Sequence, residues 1–187
     1  DIRDERRPTY SGRLRDGIAQ AAALLSGRGA ERMPSGLVPA SYSTGLVRRL
    51  FADANADGSG SLWSSLAPQM PLLAEAAPDA FLDAVAAGLD TDPSPVLAMF
   101  TDTPDSSPIM SPTSPHTPLL RALEAVAWSA DQLVRAALVL GELAERAPEG
   151  RLGNRPERSL RAILVPWRPQ TAATPEQRLA ALDALRV

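Results

Sequence analysis

A chain of 187 residues that is 44% apolar and carries a net charge of −3 at neutral pH can bury a proper core and is excluded from wholesale disorder. No stretch approaches eighteen consecutive apolar residues, so no spanning helix is expected. The lack of cysteine removes disulfides and thiolate metal ligands, a pattern we read as cytoplasmic. All nineteen basic residues are arginine; with alanine, proline and glycine also abundant, we attribute this to GC-rich codon usage rather than to selection for anion binding. The start, Asp1-Ile2-Arg3-Asp4-Glu5-Arg6-Arg7, shows no apolar export core. The missing initiator methionine, and an end inside the helix-like run Leu185-Arg186-Val187, lead us to expect a piece of a longer protein.

In chain order, Ser11 to Ser26 reads as a first amphipathic helix with Leu14, Ile18, Ala21, Ala22 and Leu25 on its inner face and Gly27 as a stop. A loop follows from Arg28 to Ala40, then a helix from Ser43 to Ala54 presenting Leu46, Val47, Leu50 and Phe51. Asp57-Gly58-Ser59-Gly60 is a turn. Short helices are expected at Ser61–Ala67 and Met70–Ala76, each interrupted by proline. Pro78 suits the first position of a helix reaching Leu89, with Phe81, Leu82, Val85 and Leu89 inward. Ser94-Pro95 opens another short helix ending near Phe100.

From Thr101 to Pro118 five prolines and eight serines or threonines crowd eighteen positions, so residues 101–117 read as a mobile Pro/Ser/Thr-rich loop. Its Ser-Pro and Thr-Pro steps resemble proline-directed phosphorylation sites, although composition alone accounts for them. The strongest pattern comes next: two amphipathic helices between Thr117 and Ala147. The first carries Leu119, Leu120, Leu123, Val126 and Ala127; the second carries Leu133, Ala137, Leu140 and Ala144. Ser129 and Gln132 match a capping box at their seam. Asn154 with Glu157 is expected to cap a helix to about Val165, and Thr174-Pro175-Glu176-Gln177 is the cleanest helix start in the chain. No window alternates long enough to argue a strand. The motifs Phe81-Leu82-Asp83-Ala84 and Leu133-Val134-Arg135-Ala136 occupy comparable places in successive helix pairs.

Chemistry-bearing constellations are few. Asp53, Asn55 and Asp57, followed by Gly58, begin like a calcium-binding loop, but Ser64 stands where the bidentate glutamate belongs; a turn-and-cap connector fits better. His116 is the single histidine, which excludes a His-based zinc cluster. We expect it to pack at a helix start rather than serve a Ser-His-Asp arrangement, because no Gly-x-Ser-x-Gly elbow exists. Without lysine there is no Walker A loop or Schiff base. Glu142 and Glu145 read as a solvated face. Arg146, Arg151, Arg155, Arg158, Arg161 and Arg168 form the most basic stretch; lacking interleaved aromatics, they suit pairing with Glu149 and Glu157 better than gripping phosphates. Trp63, Trp128 and Trp167 each stand where helices begin or end, as plugs between helical pairs.

Three strings carry a resemblance: Pro71-Leu72-Leu73-Ala74-Glu75-Ala76-Ala77-Pro78-Asp79-Ala80-Phe81-Leu82, Leu123-Glu124-Ala125-Val126-Ala127-Trp128-Ser129, and Asn154-Arg155-Pro156 followed by Leu164-Val165-Pro166-Trp167-Arg168-Pro169-Gln170-Thr171. Together they resemble the helical region of very large bacterial proteins, some carrying an NTPase or other effector domain and suspected in phage defence. The resemblance implies a helical-repeat sensor or scaffold segment and brings no catalytic residues with it. The expectation is therefore an all-α fold of helical hairpins stacked as an α-solenoid-like, HEAT- or TPR-like array. It would be a single module over residues 1–187, with no catalytic, cofactor or metal site. Its partners would be a protein or other domains of the same chain, with no membrane contact. A regulatory calcium- or nucleic-acid-binding helical domain is the alternative, nucleic acid being disfavoured by the net charge.

Overall fold

Proline placement and capping chemistry set where the helices of this chain start. The computed structural model describes residues 10–29, 32–100, 114–148, 153–165, 167 and 170–186. Among them are nine α-helices and two short 3-10 turns, with no strand: α1 Gly12–Ser26, α2 Pro39–Ala56, α3 Ser61–Leu66, α4 Met70–Ala76, α5 Pro78–Leu89, α6 His116–Val126, α7 Leu133–Arg146, α8 Pro156–Leu164 and α9 Pro175–Ala184. The 3-10 turns cover Ala67–Gln69 and Leu97–Met99. Proline stands in the first turn of α2, α4, α5, α8 and α9, where its missing N–H has no helical partner to lose. The all-α expectation holds for the described residues. No helix among them is long and apolar enough to cross a membrane.

The helices fall into two sets of neighbours. The series α1, α4, α6, α8 packs successively side by side, and so does the series α2, α5, α7, α9. The two series are joined by contacts of α1 with α2, α4 with α5 and α6 with α7. At the centre Phe51, Trp63 and Phe81 pack together, with ring centroids 4.7 Å and 5.5 Å apart for the first and second pairs around Phe51. Such tilted and edge contacts suit the ring quadrupoles. Trp63 is wholly buried and donates its indole N–H to Asn55 Oδ1 at 2.9 Å, while Asn55 Nδ2 donates to the Ala84 carbonyl at 3.0 Å. One amide thus ties α2, α3 and α5 together and leaves no stranded polar group on the indole. Gly88 gives that amide its room, since a Cβ there would lie 2.5 Å from Asn55 Oδ1.

Several expectations are corrected. In α1 the helix is turned so that Ala19 and Ala22 are buried, leaving Leu14 and Ile18 about half exposed and Ala21 exposed. The small side chains let α1 come close to α2, where the Ser43 hydroxyl donates to the Ala22 carbonyl at 2.9 Å. The second helix starts four residues early, at Pro39. Proline does not separate α3 from α4: Ala67–Gln69 continues as a 3-10 turn between them. The capping box expected at Ser129 and Gln132 does not form; α7 has no side-chain cap, and Gln132 instead donates to Asp79 Oδ1 at 3.1 Å. Asn154 likewise caps nothing and donates to Thr117 Oγ1. Thr174 and Gln177 do form the reciprocal box expected of them. Residues 101–113 lie outside the described residues, and His116 and Thr117 already belong to α6.

The two repeat-like motifs meet at the surface between α5 and α7. Arg135 on α7 donates to Asp79 Oδ1 at 2.6 Å and to Asp83 on α5. Both pairs are open to solvent, so their value is orientation more than energy.

Gly60 closes the turn before α3 at φ 72°, and a Cβ there would stand 2.6 Å from Ala98 Cβ and 2.7 Å from the Pro95 carbonyl oxygen. Gly58 has a similar φ of 61° but open space around it. Gly58→Ala is expected to cost about 1 kcal/mol from backbone strain alone. Gly60→Ala should cost roughly 2 kcal/mol more through crowding against backbone that cannot yield. Urea unfolding of the two variants measures the difference.

Candidate partner-binding groove

The calcium-like string resolves into a helix end and a cap. Asp53 and Asn55 sit within α2, and Asn55 is engaged by Trp63 and Ala84. The Asp57 carboxylate accepts from the Ser59 hydroxyl at 2.6 Å, the Ser61 hydroxyl at 3.0 Å and the Leu62 backbone N–H at 3.2 Å. It therefore serves the first turn of α3 in place of Gly60, whose position offers no side chain. Among the described residues no three His, Asp or Glu side chains are grouped as metal ligands.

His116 packs at the start of α6, as its position suggested. The ring is fully buried and stacks on Phe100, centroids 4.6 Å apart. Nε2 lies 2.8 Å from the Asn154 carbonyl, which can only accept, so Nε2 carries a proton. Nδ1 lies 2.5 Å from the Ser114 hydroxyl. This pairing pins the start of α6 to the lead-in of α8, and enclosure keeps the ring away from a substrate.

The basic stretch is divided by its surroundings. Arg146 donates to Glu142 at 2.6 Å, and Arg155 donates to the Pro148 carbonyl at 3.0 Å with its Nε 3.8 Å from Glu157. Arg151, Arg168 and Glu149 lie outside the described residues. Of the tryptophans only Trp63 is a plug. Trp128 is 60% exposed and Trp167 84% exposed, a correction to the reading of all three as buried. Trp128 is nevertheless fixed through its backbone, because its carbonyl accepts from the Ala172 N–H at 2.9 Å and from the Thr171 hydroxyl.

That exposed indole borders an open groove of about 700 Å³ between α4 and α6. Its apolar floor is formed by Pro71, Leu72, Pro78, Ala125 and Val126, and Glu75, Glu124 and Asp131 stand at its rim. On the other side of α6 lies a smaller pocket of about 230 Å³, bounded by α8 and lined by Arg121, Arg155, Arg158, Asn154 and Ser159. Arg121, Glu124 and Gln170 line both spaces, so the two adjoin across the outer ridge of α6. Gln132 also lines the larger groove; its Oε1 is buried and has no hydrogen-bond partner among the described residues. The arrangement offers apolar contact, a stacking surface and a cluster of guanidinium groups. Sequence reading marked Trp128, Arg155 and Arg158 singly but not that they line adjoining spaces, since Arg121, which borders both, carries no motif.

Comparison with family models, with curated proteins and with solved structures found no match.

The Asp57 carboxyl is held below the usual carboxylate range, first by the Ser59 hydroxyl and then by the Leu62 N–H; slight burial opposes this, and Ser61 adds to it. A lowered folded-state pKa contributes stability above the unfolded value, and that contribution is lost as pH falls through the folded value. Asp57→Asn should therefore melt below the wild type at pH 7, with the gap closing below about pH 4. Thermal melts across that range check the sign.

Proposed function

We propose that this chain is a non-catalytic scaffold or sensor module, an α-solenoid-like array that binds a protein segment in the groove between α4 and α6. The segment belongs to a separate partner or to another part of a larger bacterial protein. The carrying observation is the apolar groove with Trp128 held rigidly at its edge and left 60% exposed. An indole on a fixed backbone, beside an apolar floor, is what interface hot spots are made of.

Two further observations support the reading. Alternate helices pack side by side in two series, as helical hairpins do in HEAT- and TPR-like arrays. Apolar side chains stand exposed on α1 (Leu14, Ile18 and Leu24) and on α9 (Leu179 and Leu182), the helices at opposite ends of the series. In stacked arrays such faces are covered by the next element, which favours contacts with other domains of the same chain. The resemblance to the helical region of large bacterial proteins points the same way.

Panning a random peptide library against the chain, followed by NMR mapping of the recovered peptides, tests the groove. Amide shifts should concentrate in residues 71–78 and 121–132. Ala125→Arg, at an exposed lining position, should weaken binding by about tenfold or more without lowering the melting temperature appreciably. Peptides that map only to α1 or α9 would refute the assignment.

A further inference from the structure

The groove is uneven in charge, and the unevenness bears on what fills it. Three guanidinium groups, Arg121, Arg155 and Arg158, face the smaller pocket against one carboxylate, Glu124. Arg155 is partly engaged by the Pro148 carbonyl and Glu157. Arg121 and Arg158 are exposed and form no ion pair with the described residues. Guanidinium groups of this kind, beside the amide of Asn154 and the hydroxyls of Thr117 and Ser159, suit a carboxylate. The adjoining groove has the opposite needs: an apolar floor, and exposed carboxylates at Glu75 and Asp131 that an N–H donor can meet.

We infer that the occupant is a peptide segment of a partner protein that lays an apolar side chain against Leu72 and Trp128, crosses α6, and places an aspartate or glutamate side chain among Arg121, Arg155 and Arg158. This rests on the reading of the groove as the partner site and specifies its chemistry. A fatty acid would satisfy the apolar floor and the arginines but brings no N–H to the Glu75 and Asp131 carboxylates. A peptide backbone brings one at every residue except proline. The charge difference also orients the segment. Its acidic end is directed to the α8 side, away from Glu75 and Asp131 at the far rim.

The test uses a peptide recovered by panning and mapped to the groove, synthesised with an amidated C-terminus in two forms, its acidic residue kept or replaced by the matching amide. Affinities are measured by Trp fluorescence or calorimetry for the wild type, Arg121→Ala and Arg158→Ala. The acidic form should bind about tenfold more tightly than the amide form, and each arginine variant should erase most of that preference while leaving the amide form unchanged. Equal affinity of the two forms, or an equal loss for both in the variants, would overturn the inference while the groove remains a binding site. Groove-binding peptides devoid of acidic residues would do the same. A preference that requires a free C-terminus would replace the side-chain carboxylate by a terminal one and overturn this assignment. Displacement of the peptide by dodecanoate at micromolar concentration would make the site an amphiphile pocket and overturn it as well. If no recovered peptide maps to the groove, the proposed function itself fails, a result distinct from all of these.

Discussion

No helix here is able to stand alone. They run from 6 to 18 residues, and all but α2 are at or below the length of about 12–15 residues under which isolated helices are marginal in water. Each must cover its apolar stripe with a neighbour, and the neighbour used is mostly the next in its own series: α1 against α4, α2 against α5, α4 against α6, α5 against α7. Small residues make this close contact possible. Ala19 and Ala22 on α1 and Ala74 on α4 are buried where larger side chains would hold the helices apart. The leucines of α6 and α7, Leu119, Leu123, Leu133, Leu140 and Leu143, then fill the middle of the stack. Side-by-side covering is the constraint from which the rest of the molecule follows.

The connectors are consequently where the surface acquires character. Between α6 and α7 the chain turns without a side-chain cap, because Gln132 is drawn across to Asp79 on α5. That diversion leaves the Gln132 side-chain oxygen enclosed and holds the turn close to Pro78. The connector before α9 is pinned to the same turn through Ala172 and Thr171 on the Trp128 carbonyl. Trp128 is thereby immobilised by its backbone while its ring stays outside the core. Contact with such a ring would order the indole rotamer but would not have to order the backbone, which was fixed on folding.

Helix existence and most helix limits were legible from periodicity and caps, because those signals are local. Pro78–Leu89 and the Thr174 capping box followed from sequence rules, and the inner faces of α2, α5, α6 and α7 did too. The failures have a common cause: a residue with a good local role was taken by a distant partner. Asn154 bonds Thr117, Gln132 bonds Asp79, and Asn55 bonds Trp63 rather than any loop ligand. The α1 stripe failed differently. Its larger apolar residues form the better amphipathic face, but close approach to α2 and α4 selects the alanine face instead. The groove was invisible for the same reason as the distant bonds: its residues come from α4, α5, α6, α8 and three connectors.

Arginine usage shows how composition and placement separate. A uniform preference for arginine over lysine needs no functional cause, yet each guanidinium still acquires a role from its site. Arg135 spans two carboxylates, Asp79 and Asp83, one per nitrogen, a geometry that a single ammonium cannot reproduce. Arg15 reaches from α1 to the Ser65 carbonyl at 2.9 Å and fastens the first helix to the end of α3. Arg146 lies one turn after Glu142 in α7, the favoured order for a helical ion pair, and sits at the end where the helix dipole welcomes a cation. Against these fastened arginines, Arg121 and Arg158 stand out because they face the same pocket from different helices. Like charges facing one concavity repel unless an anion joins them. Glu124 is the single carboxylate lining that concavity, so its lining carries a net positive charge that an incoming anion would meet.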